Sequence, residues 1–153
     1  IFVVLFMISV MVKQFETIVS FLLFFVPLRI FGGGYHAKKS ETCFVISIVS
    51  YVLVLLVLEN YPHLYLDESL QVITVAALII MFIYAPIVNE NHPIDNEQYR
   101  RNKGTVRLLL VIDFMVFILG VINQIVHCSN LMVFVLLNGI LCLIGKVQQM
   151  IKK

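Results

Sequence analysis

A histidine and a cysteine seven residues apart, His36 and Cys43, are the side chains in this sequence best suited to nucleophilic chemistry. A thiolate is the attacking form of cysteine, and a neighbouring imidazole can take its proton and return it to a leaving group. The stretch that carries them runs Leu28-Arg29-Ile30-Phe31-Gly32-Gly33-Gly34-Tyr35-His36-Ala37-Lys38-Lys39-Ser40-Glu41-Thr42-Cys43. Three glycines end the preceding apolar run, where backbone freedom and close approach favour a helix stop. Ser40 stands where an N-cap would stand, with Glu41 and Thr42 in the first turn of the next helix. Cys43 then falls at the third helical position, where unpaired N–H groups and the positive end of the helix dipole stabilise a thiolate. Lys38 and Lys39 add to the same field. On one uninterrupted helix the two side chains would lie about 10.5 Å apart along the axis. A working pair needs roughly 3 Å, so the chain between them has to fold back, with His36 on a loop.

The bland readings of these residues are common ones. A cysteine in a membrane segment is most often a small apolar residue, which is how Cys142 reads, and a histidine beside lysines is most often solvated. No metal site is expected, because no second ligand pair with zinc-like spacing accompanies His36 and Cys43. His63, His92 and His127 are isolated. Cys43, Cys128 and Cys142 form an odd, scattered set, unlike a disulfide framework. No cofactor is implied.

The elements that must position this loop are membrane helices. Of 153 residues, 61% are hydrophobic and only 13% charged, and the mean hydropathy is +1.00. Soluble domains carry about 25% charged residues, and a chain this short cannot hide the excess in one core. A signal peptide would explain one apolar stretch, not five. A net charge of +2, with no long basic run and no aromatic platform among the basic residues, excludes nucleic acid as a partner. The expected fold is all-α, a polytopic helical bundle and a single domain over residues 1–153. Four spans follow residue 42, and one or two helices precede it. The chain opens at Ile1, already inside an apolar run, so its true N-terminus is expected to be missing.

The apolar runs are Ile1–Val12, Ile18–Phe31, Cys43–Leu58, Leu70–Val88, Val106–Val126 and Leu131–Gly145. The sixth reaches the roughly 17 to 20 residues a span requires only if its helix continues through Lys146. The first two fit either two helices joined at Lys13–Glu16 or one long bent helix. Loop charges set an orientation. Arg29, Lys38 and Lys39 place the first loop inside, while Glu59–Ser69 has no Lys or Arg and falls outside. Glu90–Arg107, with Arg100, Arg101, Lys103 and Arg107, returns inside. His127–Asn130 is outside, and the C-terminus with Lys146, Lys152 and Lys153 is inside. Asp113, Asn123 and Asn138 are the polar groups within the spans, and interhelical hydrogen bonds are their expected role. A peptide transporter would need such groups for its path, and a non-catalytic membrane adaptor would leave Cys43 an ordinary thiol.

Arg29, the Gly32-Gly33-Gly34-Tyr35-His36-Ala37 run and Cys43 resemble the accessory gene regulator protein B (AgrB) family of bacterial quorum sensing. Tyr84-Ala85-Pro86, His92-Pro93-Ile94 and the cluster Arg100-Arg101-Asn102-Lys103 agree with it in order along the chain. The resemblance implies a cysteine endopeptidase in the bacterial cell membrane, with catalytic loop and C-terminus cytoplasmic. In that family the C-terminal part of a small precursor is cut away, and a cyclic thiolactone or lactone signal is formed. By this analogy Cys43 attacks and holds the precursor as a thioester, and His36 moves the proton. Arg29 has two readings: it holds a carboxylate of the precursor's acidic tail, or it is a snorkelling anchor at the membrane surface. Gly34 reads as a backbone requirement. Arg100, Arg101 and Lys103 serve precursor recognition or topology. The implied partners are the small AgrD-like precursor, the lipid bilayer and, in a homodimer, a second copy.

Overall fold

In the computed structural model the described residues are 2–11, 13–33, 40–88 and 94–151, with nothing but main chain described at 2, 40, 43 and 44. The helices are α1 (Phe2–Met11), α2 (Phe15–Gly32), α3 (Ser40–Asn60), α4 (Glu68–Tyr84), α5 (Asn96–Ile122) and α6 (Cys128–Ile151). α2, α5 and α6 are long and apolar enough to cross a membrane, and no strand occurs among the described residues. The chain is an all-α membrane bundle, as its composition implies.

Local chemistry fixes where the helices begin and end. Asp67 caps α4 by accepting the Leu70 N–H at 3.0 Å, and Asp95 caps α5 through the Gln98 N–H at 2.6 Å. The Leu70 bond holds the exposed Asp67 carboxyl below its usual titration range. That cap is therefore complete above the ordinary carboxylate value and is lost as pH falls through the lowered one. α1 and α5 end in Schellman turns, with Lys13 and Gln124 taking the left-handed conformation that glycine usually fills. The turn at Lys13 decides between the two N-terminal arrangements: α1 and α2 are separate helices.

Inside α2, Pro27 lacks the N–H that an α-helix needs, and a π-helical turn at Phe21–Phe25 precedes it. Such breaks leave carbonyls for neighbours to reach. The Asn138 amide of α6 donates to the Phe25 carbonyl at 3.3 Å.

α6 is the axis of the bundle. Of its most apolar stretch 61% is buried, against 28% for α5, so α6 packs on protein where α5 faces lipid along much of its length. Its buried residues Leu131, Val135, Asn138, Cys142 and Gly145 recur at helical spacing. One side meets α4 and α5 through Leu78, Met81, Leu110 and Phe117. The other faces a second apolar cluster shared with α1, α2 and α3, in which Phe134 touches Phe21 and Phe25 of α2. Tyr51 of α3 is fully buried there and shares a 2.5 Å hydrogen bond with Ser9 of α1. Gly139 lets α6 approach α4 closely: a Cβ on it would lie 3.0 Å from that of Ala77.

Several expectations change in detail. The basic stretch from Arg100 to Arg107 is helical, forming the first turns of α5 rather than a loop. α6 does continue through Lys146. Asn138 bonds between helices, but Asn123 turns back onto Leu119 of its own helix. Asp113 is buried, and its Oδ2 has no hydrogen-bond partner among the described residues.

Two predictions follow from this packing. Gly139→Val should force α4 and α6 apart at a cost of about 1–3 kcal/mol, read as a lower thermal midpoint in detergent; an unchanged midpoint would contradict the close contact. Asp113→Leu should raise that midpoint, since it removes a buried acceptor worth roughly 1–3 kcal/mol of lost solvation. A fall would mean that the carboxyl has a partner in the membrane.

Candidate active site

The C-terminal end of α2, the turn after α4, the start of α5 and the end of α6 meet at one end of the bundle. The last carbonyls of a helix have no partner within it and must find one elsewhere. At the end of α2 two of them do. The Ile87 N–H donates to the Gly32 carbonyl at 2.9 Å, and the Arg29 guanidinium donates to the Gly33 carbonyl at 2.7 Å. Gly33 and Ile87 form an isolated parallel β-bridge, so the chain leaves α2 alongside the chain that leaves the Ala85-Pro86 turn. Gly33 has a φ of +68°, and a Cβ built on it would run into the Ile87 carbonyl oxygen. Glycine is needed here for both reasons.

Below this seam Leu28, Met81, Val106, Asn138 and Cys142 line a small cleft of about 10 Å³. A single water needs roughly 10–15 Å³, so the cleft does not hold a peptide.

Of the residues singled out in the sequence, Arg29, Arg100, Arg101 and Lys103 are described. Gly34 and His36 lie outside the described residues, as does the side chain of Cys43. The main chain of Cys43 belongs to the first turn of α3, whose helix starts at Ser40 itself. Cys43 is thus the fourth helical residue rather than the third, still in the first turn but one place beyond the N–H groups that lack intrahelical partners.

Arg29 is tied to the end of its own helix, an arrangement neither sequence reading of it contained. Arg100 and Arg101 are exposed on α5. Lys103 lies over the Tyr99 ring at 5.9 Å, Arg107 over Phe82 at 5.1 Å and Lys146 over Tyr84 at 5.8 Å. These pairs place cationic heads and aromatic rings together at the end that holds Gly33, as at a membrane–water boundary. The opposite end carries Lys13 with Glu16, Glu59, Asp67 and Glu68. There His127 meets Glu16 at 3.1 Å, both largely exposed, and the His63 ring stands edge-on to Tyr65. Neither histidine approaches Gly33. No cluster of three metal-ligating side chains occurs among the described residues.

Ile87 was missed by residue-type reasoning because it contributes only main chain. The available signal was the glycine run: consecutive glycines at a helix end invite another backbone to lie against them.

The Accessory gene regulator B family matches residues 1–145. A putative AgrB-like protein of Clostridium beijerinckii is 26% identical, over 77% of this chain and 56% of its own length. The accessory gene regulator protein B of Staphylococcus carnosus is 25% identical, over 71% of this chain and 57% of its own. That of Staphylococcus saprophyticus is 31% identical, over 74% and 58%. The chain spans less than three fifths of the length of these curated relatives. No solved structure matches it. With its family match running from the first residue to within eight of the last, the chain belongs to the accessory gene regulator B family.

Proposed function

We propose that this chain is a membrane cysteine endopeptidase that processes a quorum-sensing propeptide, with Cys43 as nucleophile and His36 as base. The observation that carries the reading is the Gly32–Ala37 run followed by Cys43 in a chain of this family. The helical start at Ser40 supports it, because Cys43 then lies in a turn whose N–H groups favour a thiolate.

In the proposed reaction His36 takes the Cys43 proton, and the thiolate forms a C–S bond to the scissile carbonyl. The C–N bond breaks, and the imidazolium gives its proton to the leaving amine, which departs with the C-terminal peptide. The acyl group remains as a thioester. A thiol or hydroxyl within the precursor then attacks the same carbonyl, loses its proton to Cys43 and closes a thiolactone or lactone ring. Exchange between thioesters conserves the acyl activation that hydrolysis would discard.

The basic end of the bundle is proposed to face the cytoplasm, in accord with the positive-inside rule. Arg100, Arg101 and Lys103 would there offer charge to an acidic precursor tail, with Gly34 as a backbone requirement of the loop. A homodimer in the bilayer belongs to the same proposal.

Cys43→Ala and His36→Ala should each abolish release of the C-terminal fragment from the co-expressed propeptide, with membrane levels of the protein unchanged. Release that persists in Cys43→Ala would contradict the proposal. The pH profile of Cys43 alkylation separates an activated thiol from an adaptor's ordinary one, which titrates near 8.5.

A further inference from the structure

We infer that the outer face of the first turns of α5, at Arg100, Gly104 and Arg107, binds an anionic phospholipid headgroup. The inference stands apart from the proposed reaction. Gly104 and Arg107 take no part in that reaction, and Arg100 is the one residue the two share.

Arg100, Gly104 and Arg107 recur at steps of four and three, and the same steps continue as Val111, Met115 and Ile118. Such spacing puts all six on one face of the helix, and all six are exposed. The buried residues of α5, from Val106 to Gly120, lie on its other side. In a membrane bundle the exposed apolar half of this stripe is covered by acyl chains. What lies immediately beyond acyl chains is headgroups. The 27 residues of α5 rise about 40 Å, against roughly 30 Å of hydrocarbon. Its first turns therefore reach the headgroup layer, and they meet it with two arginines.

The Arg107 guanidinium stands 5.1 Å from the centre of the Phe82 ring, which is itself exposed. That contact holds the charge where the apolar surface ends. Among the described residues neither Arg100 nor Arg107 is in an ion pair, and Glu97, the acid one turn earlier on the stripe, pairs with neither. Between the arginines Gly104 leaves open space: a Cβ built on it would meet no atom within 4 Å. A guanidinium offers paired donors that match two phosphate oxygens. A zwitterionic headgroup carries its own cation beside the phosphate, whereas an anionic one does not, so the arginines favour the anionic lipid. Lys103, over the Tyr99 ring, adds to the local positive potential.

The test titrates the full chain, purified in neutral detergent, with phosphatidylglycerol or with phosphatidylcholine of the same acyl chains. Native mass spectrometry counts the bound lipid. Phosphatidylglycerol should bind about 25-fold tighter, roughly fivefold for each arginine. Arg107→Gln should cut that preference about fivefold, with unchanged phosphatidylcholine binding reporting an intact fold. Gly104→Leu alters no charge but fills the space between the arginines, and it should also weaken phosphatidylglycerol binding severalfold. Equal binding of the two lipids, or the full preference retained in either variant, would overturn the inference. So would displacement by inorganic phosphate, which has no acyl chains to lie along Val111 and Met115. An acidic peptide that binds through Arg107, where phosphatidylglycerol shows no preference, would give this face to a peptide and overturn it too. Cys43→Ala should bind lipid as the unaltered chain does, so failure of the proposed reaction leaves this result standing. If neither variant accumulates, salt decides on the wild-type chain: the preference should fall as ionic strength rises, and a salt-independent preference would overturn the inference.

Discussion

Main-chain polar groups in a bilayer have no water to turn to, and this constraint organises the protein. Inside a helix the requirement is met automatically; at each helix end or break it is not. The structure meets it with a different partner each time. At exposed helix starts, where water is also at hand, Asp67 and Asp95 serve as caps. Lys13 and Gln124 accept a left-handed backbone so that terminal carbonyls are bonded. Asn138 reaches the Phe25 carbonyl beside the π-helical turn before Pro27. The end of α2 is the case in which the partner comes from far along the chain, as the Ile87 N–H.

That last solution joins two parts of the chain that are far apart in sequence. An exposed helix end could have been left to water. Here the helix end is pinned by a second backbone and by Arg29, at the end of the bundle where basic side chains pair with aromatic rings. Close packing of α6 against α4, allowed by Gly139, holds the turn after α4 in place. The seam is thereby tied to the central helix.

Much of this was legible in the sequence, and what was not has a physical reason. Apolar runs identified the four helices after residue 42, and the basic and acidic connections fall at two different ends of the bundle, because both signals are carried by side-chain type. The stretch from Arg100 to Arg107 read as a loop because it is too polar for a span, although a helix can continue beyond the lipid. The Ser9–Tyr51 bond and the Gly33–Ile87 bridge join residues distant in sequence, and the bridge uses only main chain. Side-chain patterns carry no record of such contacts. The motif around His36 and Cys43 was visible as residue types and spacing. Its glycines, which looked like a simple helix stop, gain a second role as the surface against which another backbone lies.

The most direct measurement of the central claim is chemical trapping of the acyl-enzyme. Membranes carrying the chain would be incubated with propeptide, quenched in acid and analysed by mass spectrometry. The account predicts an adduct on Cys43 with the mass of the propeptide minus its C-terminal segment, labile to hydroxylamine as a thioester is. Cleaved propeptide with no adduct on Cys43, from a chain whose Cys43→Ala variant cleaves equally well, would contradict it.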